Sequence, residues 1–534
     1  MISSIRAALL AAVSALSLGA GSLGTASPAA AQNITMAVGA QVTSLDPHYH
    51  ALSPNYAVAT MFFDALTDFD EDSRLQPALA TSWKAVEPTV WEFKLRQGVR
   101  FHNGKELTAE DVAFTIGRVP AVPNSPSSYA IYTRAIASVE VVDPLTVRFH
   151  TRTPYPLLPT DLAQVVILDK DTHTGATTED FNSGKAAVGT GPFRFVSFRS
   201  GDRIELQRND DYWGQKPAWQ RVTYRILPND ASRTAALLAG DVDFIDQVPT
   251  SDIASLRRND RVKLAEKNGL RIIFLALDNL QRENSPFITD NDGKPIGKNP
   301  LLDVRVRRAL SMGIDRGAIA SRVMEGAAAP SGQFLPPGSF GAVPGLEPQA
   351  LDIEGAKKLL TEAGYPQGFR MTLHGPNDRY MNDARIIQAV GQMWTRIGVR
   401  TAVEAQPWST FVARAGRQDL SAMLVGWGTS SGEASSPLRS LVATFDRDKG
   451  FGFSNRGRYS NPAMDAKLEE ALRELDDARR EALLQEATRL AMDDVGIIPI
   501  HIQKNIWAMR PNLVHESRAD ELTRAQDIRP AAAR

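Results

Sequence analysis

Gly428 to Gly432 reads Gly-Thr-Ser-Ser-Gly, which has the G-x-S-x-G spacing of a serine hydrolase nucleophile elbow. That spacing suits the chemistry because a serine on a sharp strand-to-helix turn projects its hydroxyl clear of the sheet. An apolar run from Ser421 to Trp427 leads into the motif, and a helix-compatible stretch from Pro437 to Ala443 follows. Asp446, Asp465, His501 and His515 then offer acid and base in the chain order Ser, Asp, His. No HGGG-like oxyanion segment precedes the serine, and letters alone do not make a triad. With 38 glycines in 534 residues, chance supplies such a motif about 0.1–0.2 times. A secreted hydrolase using Ser430 therefore stands as the alternative.

Two other constellations are weaker. His48 and His50 would share one face of a strand, but no third ligand is close in sequence to complete a metal site. Gly189-Thr-Gly191 lacks the lysine and the spacing of a phosphate loop. The chain has no cysteine, which removes thiol catalysis and cysteine-type metal sites. Nothing calls for a metal or a cofactor.

The elements around these residues alternate in type. Strand patterns run over 34–38, 90–95, 222–226 and 271–277, and again over 497–502 and 505–509. Asp143-Pro144 separates two short β-like runs, a hairpin signal. Helical spacing covers 55–67, 305–312, 353–363, 385–397 and 464–492. Thr108 with Asp111 three places on marks a helix start. This alternation predicts an α/β fold. The strands near 271–277 and 497–509 stand where two crossings between lobes could occur. At 534 residues the chain should form two or three lobes.

The first 31 residues read as a signal peptide: Arg6, a short apolar run from Ala7 to Ala20, and small residues at Ala29 to Ala31 ahead of Gln32. An exported protein with no disulfides must rely on its core, which this length can supply. A formal net charge of −1 gives no global field for nucleic acid or an anionic membrane.

Pro77 to Trp83, Trp91 to Gly104 and Leu107 to Val112 resemble the signature of the family 5 extracellular solute-binding proteins. These are the dipeptide, oligopeptide and nickel-binding components of ABC importers. Gly189 to Phe193, Asn209 to Gly214, Leu302 to Leu310, Ala356 to Gly364 and Gly426-Trp427 match in the same order. The resemblance implies a type II periplasmic-binding-protein fold of cluster C type, with two hinged lobes and an extra domain. Lobe I would take 32–270, with the extra subdomain at about 75–185. Lobe II would take 271–495, and 496–534 would return to lobe I. It implies a periplasmic, monomeric protein that captures a small peptide or peptide-like solute in the interdomain cleft. It would deliver that solute to an ABC permease. A non-peptide solute, such as an opine or a nickel complex, is the other reading of the same scaffold. A chaperone-like or signalling receptor is a third.

The same resemblance implies site residues. Peptide-binding relatives carry an acid after Gly-Trp that pairs with the peptide ammonium, and that place falls at or beside Ser430. Glu433 is the nearest acid. Arg379 lies near where such relatives place a carboxylate-binding arginine, with Arg385 as its neighbour. Tyr380, Trp408 and Trp427 are the expected cleft aromatics of lobe II. Asn55 and Tyr56, at a helix N-terminus with free N–H groups, are expected on lobe I. Gly98, Gly104, Trp91, Phe93, Phe101 and Asp111 read as scaffold, not site.

Overall fold

Lys263–Leu277 is a fifteen-residue strand whose second half is apolar without interruption. Its side chains alternate between two cores. Ile273, Leu275 and Leu277 enter one cluster, and Ile272, Phe274 and Ala276 the other. A strand with both faces covered needs such a run, since successive side chains point to opposite faces. In the computed structural model, which describes residues 33–429 and 431–532, this strand pairs antiparallel with Ile498–Met509. The signal-peptide reading of residues 1–31, Gln32 and Ser430 lie outside the described residues.

These two long strands cross the middle of a mixed sheet. On one side follow Phe244–Ile245, Asn33–Val38, Arg221–Ile226, Arg203–Arg208 and Phe193–Arg199. On the other follow Ala422–Gly428, Phe369–Pro376 and Ile288–Thr289, with Val399–Gln406 beside Phe369–Pro376. Asn33–Val38 runs parallel to Arg221–Ile226, and Phe369–Pro376 parallel to Val399–Gln406. The fold is mixed α/β.

The cores follow this division. One large cluster joins Ile34, Phe62, Phe93, Phe149, Tyr224 and Trp507. Two more cover the opposite faces of the other half-sheet, around Leu310 and Trp394 and around Phe411 and Leu484. We refer to the two halves as lobe I and lobe II.

The ladder between the crossing strands is interrupted. Lys263 to Asn268 pair in register with Met509 to Lys504, and pairing resumes only at Ile272 with Ile502. In the gap, the Leu270 N–H donates instead to the Ala519 carbonyl at 3.2 Å. Gly269 lies so close to the facing strand that a Cβ would stand 2.8 Å from the Gln503 carbonyl oxygen. A break in an otherwise continuous ladder, at the boundary between two cores, is where two lobes can turn.

Residues 80–151 carry a separate four-stranded antiparallel sheet, in the order Ala80–Glu87, Val90–Leu95, Thr146–Thr151, Ile136–Asp143. Helix Ala109–Arg118 starts with Thr108 and Asp111 in a capping box and buries Val112, Thr115 and Ile116. Phe93 and Phe149 meet edge to face at 5.2 Å, and Phe101 is buried. Gly98 and Gly104 take positive φ in turns. Among the described residues no helix is long and apolar enough to cross a membrane.

The C-terminal segment is tied to lobe I by buried arginines. Arg518 Nη2 donates to the Phe69 carbonyl at 2.8 Å and pairs with Asp520 at 2.6 Å. Trp219 Nε1 donates to the Ile528 carbonyl. Residues 518–523 thereby run alongside the ladder break as a third strap.

Candidate functional site

Beside the crossing strands lies a cavity of about 620 Å³. Its walls come from both lobes and from the strap: Val248 and Ser251, Arg379 and Tyr380, Lys504, and Glu521. The volume is that of a small-solute site.

Lobe II presents a loop after strand Phe369–Pro376. The backbone N–H groups of Arg379 and Tyr380 both donate to Asp383 Oδ2 at 3.0 Å, which fixes the loop on the first turn of helix Asp383–Arg396. Tyr380 is buried, and its hydroxyl donates to the Gly426 carbonyl at 3.2 Å. Gly426 is needed there, because a Cβ would meet the Tyr380 ring at 2.8 Å. Trp408 meets Tyr380 edge-on at 6.0 Å. The exposed Arg379 guanidinium lies 5.4 Å from the Trp408 ring centre and 5.7 Å from that of Tyr380. Arg379, Tyr380 and Trp408 thus form one cluster.

Three guanidinium groups act on the Tyr380 phenol. Burial pushes its phenol up, opposed by the bond to Gly426 and by the guanidinium groups of Arg379, Arg271 and Arg456. Arg271 stands opposite Gly428 on the crossing strand and pairs with Glu521 at 3.3 Å. Arg379 and Arg456 have no ion-pair partner among the described residues. Burial pulls the Arg456 guanidinium below its usual range. Arg385, by contrast, reaches Glu325 at 3.4 Å. Neither Arg271 nor Arg456 was singled out from sequence. They reach Tyr380 from separate segments of the chain, and no local pattern links them.

Trp427 is half-buried against the core around Phe411, and its Nε1 is buried without a partner among the described residues. Glu433 lies apart from the Tyr380 cluster. It is 4% exposed, and Arg480 Nη1 donates to its Oε1 at 2.6 Å. Its carboxylate is already committed to a cation of the protein.

On lobe I, Asn55 is buried and holds the preceding loop. Its Oδ1 accepts from the Thr43 N–H and its Nδ2 donates to Thr43 Oγ1, both at 2.9 Å. The Tyr56 hydroxyl donates to the Ala163 carbonyl. Tyr56, Ser53, Tyr129 and Tyr132 line a smaller cavity of about 100 Å³ that also touches Asp520. Helix Ser53–Phe62 begins at Leu52 with no side-chain cap, and Leu52 and Ser53 line this cavity.

The other chemical candidates disperse. His48 is buried, with Nε2 3.0 Å from the Val166 carbonyl and Nδ1 3.1 Å from Arg118, while His50 Nδ1 is 3.0 Å from Thr43 Oγ1. Burial and the Arg118 charge push His48 down to about 3. Neither His501 nor His515 is hydrogen-bonded to a carboxylate, and Asp465 receives the Thr444 N–H at 3.0 Å. A hydrolytic base needs an orienting carboxylate, and these histidines have none.

The profile of the bacterial extracellular solute-binding proteins, family 5, matches residues 74–449. Heme-binding protein A of Haemophilus influenzae is 30% identical over 83% of this chain and 82% of its own length. The glutathione-binding protein GsiB of Pectobacterium atrosepticum is 29% identical over 90% of this chain and 88% of its own. The structure of HbpA2 from Haemophilus parasuis superposes with a TM-score of 0.80 at 24% identity, covering 93% of this chain and 100% of that one.

Proposed function

The chain belongs to the bacterial extracellular solute-binding proteins of family 5, and from that membership we propose that it is the periplasmic binding component of an ABC importer. It captures a small peptide or peptide-like solute between its lobes and hands it to a membrane permease. It makes and breaks no bond; affinity, closure and release are its mechanism. It works as a monomer, exported by its signal peptide, with no nucleic-acid partner.

One observation carries the choice of solute. Arg379, Arg271 and Arg456 surround Tyr380, and only Arg271 has a carboxylate partner among the described residues. Arginine forks bind carboxylates in pairs of hydrogen bonds, so this wall suits an acidic end of a solute. A serine at or beside position 430, and a Glu433 already paired with Arg480, leave no free acid there for an ammonium group. The solute is therefore a peptide or conjugate held by its carboxylates.

Titration calorimetry of the full chain tests this, with glutathione, neutral-side-chain dipeptides and an opine as probes. Saturable heat with a carboxylate-bearing probe, lost in Arg379→Ala, is expected. Tighter binding of a carboxyl-amidated dipeptide than of its free acid would overturn it.

A further inference from the structure

The cavity that Arg271 and Arg379 line has a closed base. Residues Gln503 to Trp507 of the crossing strand Ile498–Met509 line it where the lobes converge, and so form its floor. Two buried side chains of that stretch bond it to the strap. Asn505 Nδ2 donates to the Arg518 and Ala519 carbonyls at 3.0 and 3.2 Å, and Trp507 Nε1 donates to Thr523 Oγ1 at 2.9 Å.

One side of this base is shut by a contact between the lobes. Asn382 Nδ2, on lobe II, donates to Thr250 Oγ1, on lobe I, at 3.1 Å and to the Val323 carbonyl at 3.0 Å. Met381 beside it packs against the lobe II core around Leu310 and Trp394 and against the lobe I cluster of Val248, Ile253 and Leu256. Thr250, Met381 and Asn382 all line the cavity. Asn382 holds φ at 55°, in the left-handed region that asparagine enters more readily than most residues. It follows Arg379 by three residues, which span at most about 11 Å of chain. The exposed guanidinium that reads a carboxylate therefore stands beside a sealed corner.

That corner bears on where the carboxylate lies in the solute. A carboxylate in mid-chain needs room for chain on both sides, about 3.5 Å for each further residue. Here the floor and the Asn382–Thr250 bridge take up that room. To admit more chain the bridge must break, and the buried Thr250 hydroxyl loses its partner. A terminal carboxylate asks for no such space.

We infer that Asn382 and Thr250 are specificity-determining residues. They form a stop that admits solutes whose carboxylate is the last group of the chain and turns the rest of the solute toward the cleft mouth. The stop rests on the reading of the Tyr380 wall as a carboxylate site.

Titration calorimetry of the full chain tests it with N-acetyl-Ala-Ala-Ala and N-acetyl-Ala-Asp-Ala amide. Each probe has one carboxylate and no ammonium; the carboxylate is terminal in the first and in mid-chain in the second. The first is expected to bind about tenfold tighter or more, the gap set by loss of a charged hydrogen bond. Asn382→Gly removes the bridge and keeps the backbone, since glycine takes positive φ freely. Combined with Met381→Ala, it should narrow the gap to about threefold or less, and Thr250→Val, which keeps the branched shape, should narrow it in the same direction. Equal affinities in the wild type overturn the stop alone and leave the carboxylate reading standing. A gap unchanged in both variants also overturns the stop. Binding of neither probe to the wild type overturns the carboxylate reading, and the stop with it.

Discussion

Arg480 holds Glu433 at 2.6 Å with both side chains almost wholly out of water. The ion pair joins the start of helix Asp477–Asp493 to the loop that follows Trp427. It turns the acid nearest the missing ammonium partner into part of the framework.

Glu433→Gln should therefore act on stability first. Removing Glu433 leaves the buried Arg480 charge only the exposed Asp477 as ion-pair partner among the described residues, at a cost of up to about 3–5 kcal/mol. Urea unfolding should show that loss. An unchanged midpoint would mean the pair contributes nothing.

Arg379→Ala should do the opposite. Its guanidinium is exposed and has no ion-pair partner among the described residues, so stability should change by about 0.5 kcal/mol or less. Affinity for a carboxylate-bearing solute should fall by about 1.5–3 kcal/mol, as for loss of a charged hydrogen bond. Calorimetry and a thermal melt on the same samples separate the two.

Asp246 gives a pH signature. Burial pushes its carboxyl up to about 6, with the Gly39 N–H and Arg233 pulling the other way. The unfolded chain keeps that proton only below about 4. Between those values the folded chain binds the extra proton, so this group's contribution to stability falls as pH rises toward 6 and then levels off. Asp246→Asn should remove that slope, leaving the variant relatively more stable at neutral pH than at pH 4. Buried histidines such as His501, pushed down to about 3 by burial, slope the other way and are common to both proteins. The test is the difference between wild type and variant across the range. A difference independent of pH would assign the carboxyl an ordinary value.

Gly269→Ala should loosen the crossing strands. Its Cβ would stand 2.8 Å from the Gln503 carbonyl oxygen, which is backbone and cannot step aside cheaply. A loss of about 1–3 kcal/mol is expected, as for overpacking, read by urea unfolding. No loss would mean the strands already have slack at the break.

The scaffold was legible because its signals are local. The Thr108–Asp111 cap appears as predicted, and the hairpin at Asp143-Pro144 joins Ile136–Asp143 to Thr146–Thr151. The two short β runs at the C-terminal end form one strand, Ile498–Met509. The helical spacing over 464–492 breaks into Pro462–Ala471 and Asp477–Asp493, because Asp476 caps a new start. Residues 55–67 stop being helical at Phe62, where the chain turns to let Ala65 bridge Val166. The site was less legible. Arg379, Tyr380 and Trp408 do meet, but Arg271 and Arg456 reach Tyr380 from separate segments. Charge convergence is a tertiary property with no periodicity to reveal it. Glu433 could not be seen as paired, since Arg480 lies on another helix.

The break in the central ladder spans Gly269 to Arg271, so the segment free to bend also carries a cleft cation. Arg271 is tethered by Glu521 to the strap. Recognition and rotation therefore draw on the same three residues. A solute that pulls Arg271 away from Glu521 removes one of the strap's ties at the pivot and leaves the Leu270–Ala519 hydrogen bond as the other. One that binds only Arg379 fills the cleft and leaves the joint locked. Selection among acidic solutes would then be mechanical as well as chemical: cargo that cannot unlatch the pivot is bound but not enclosed.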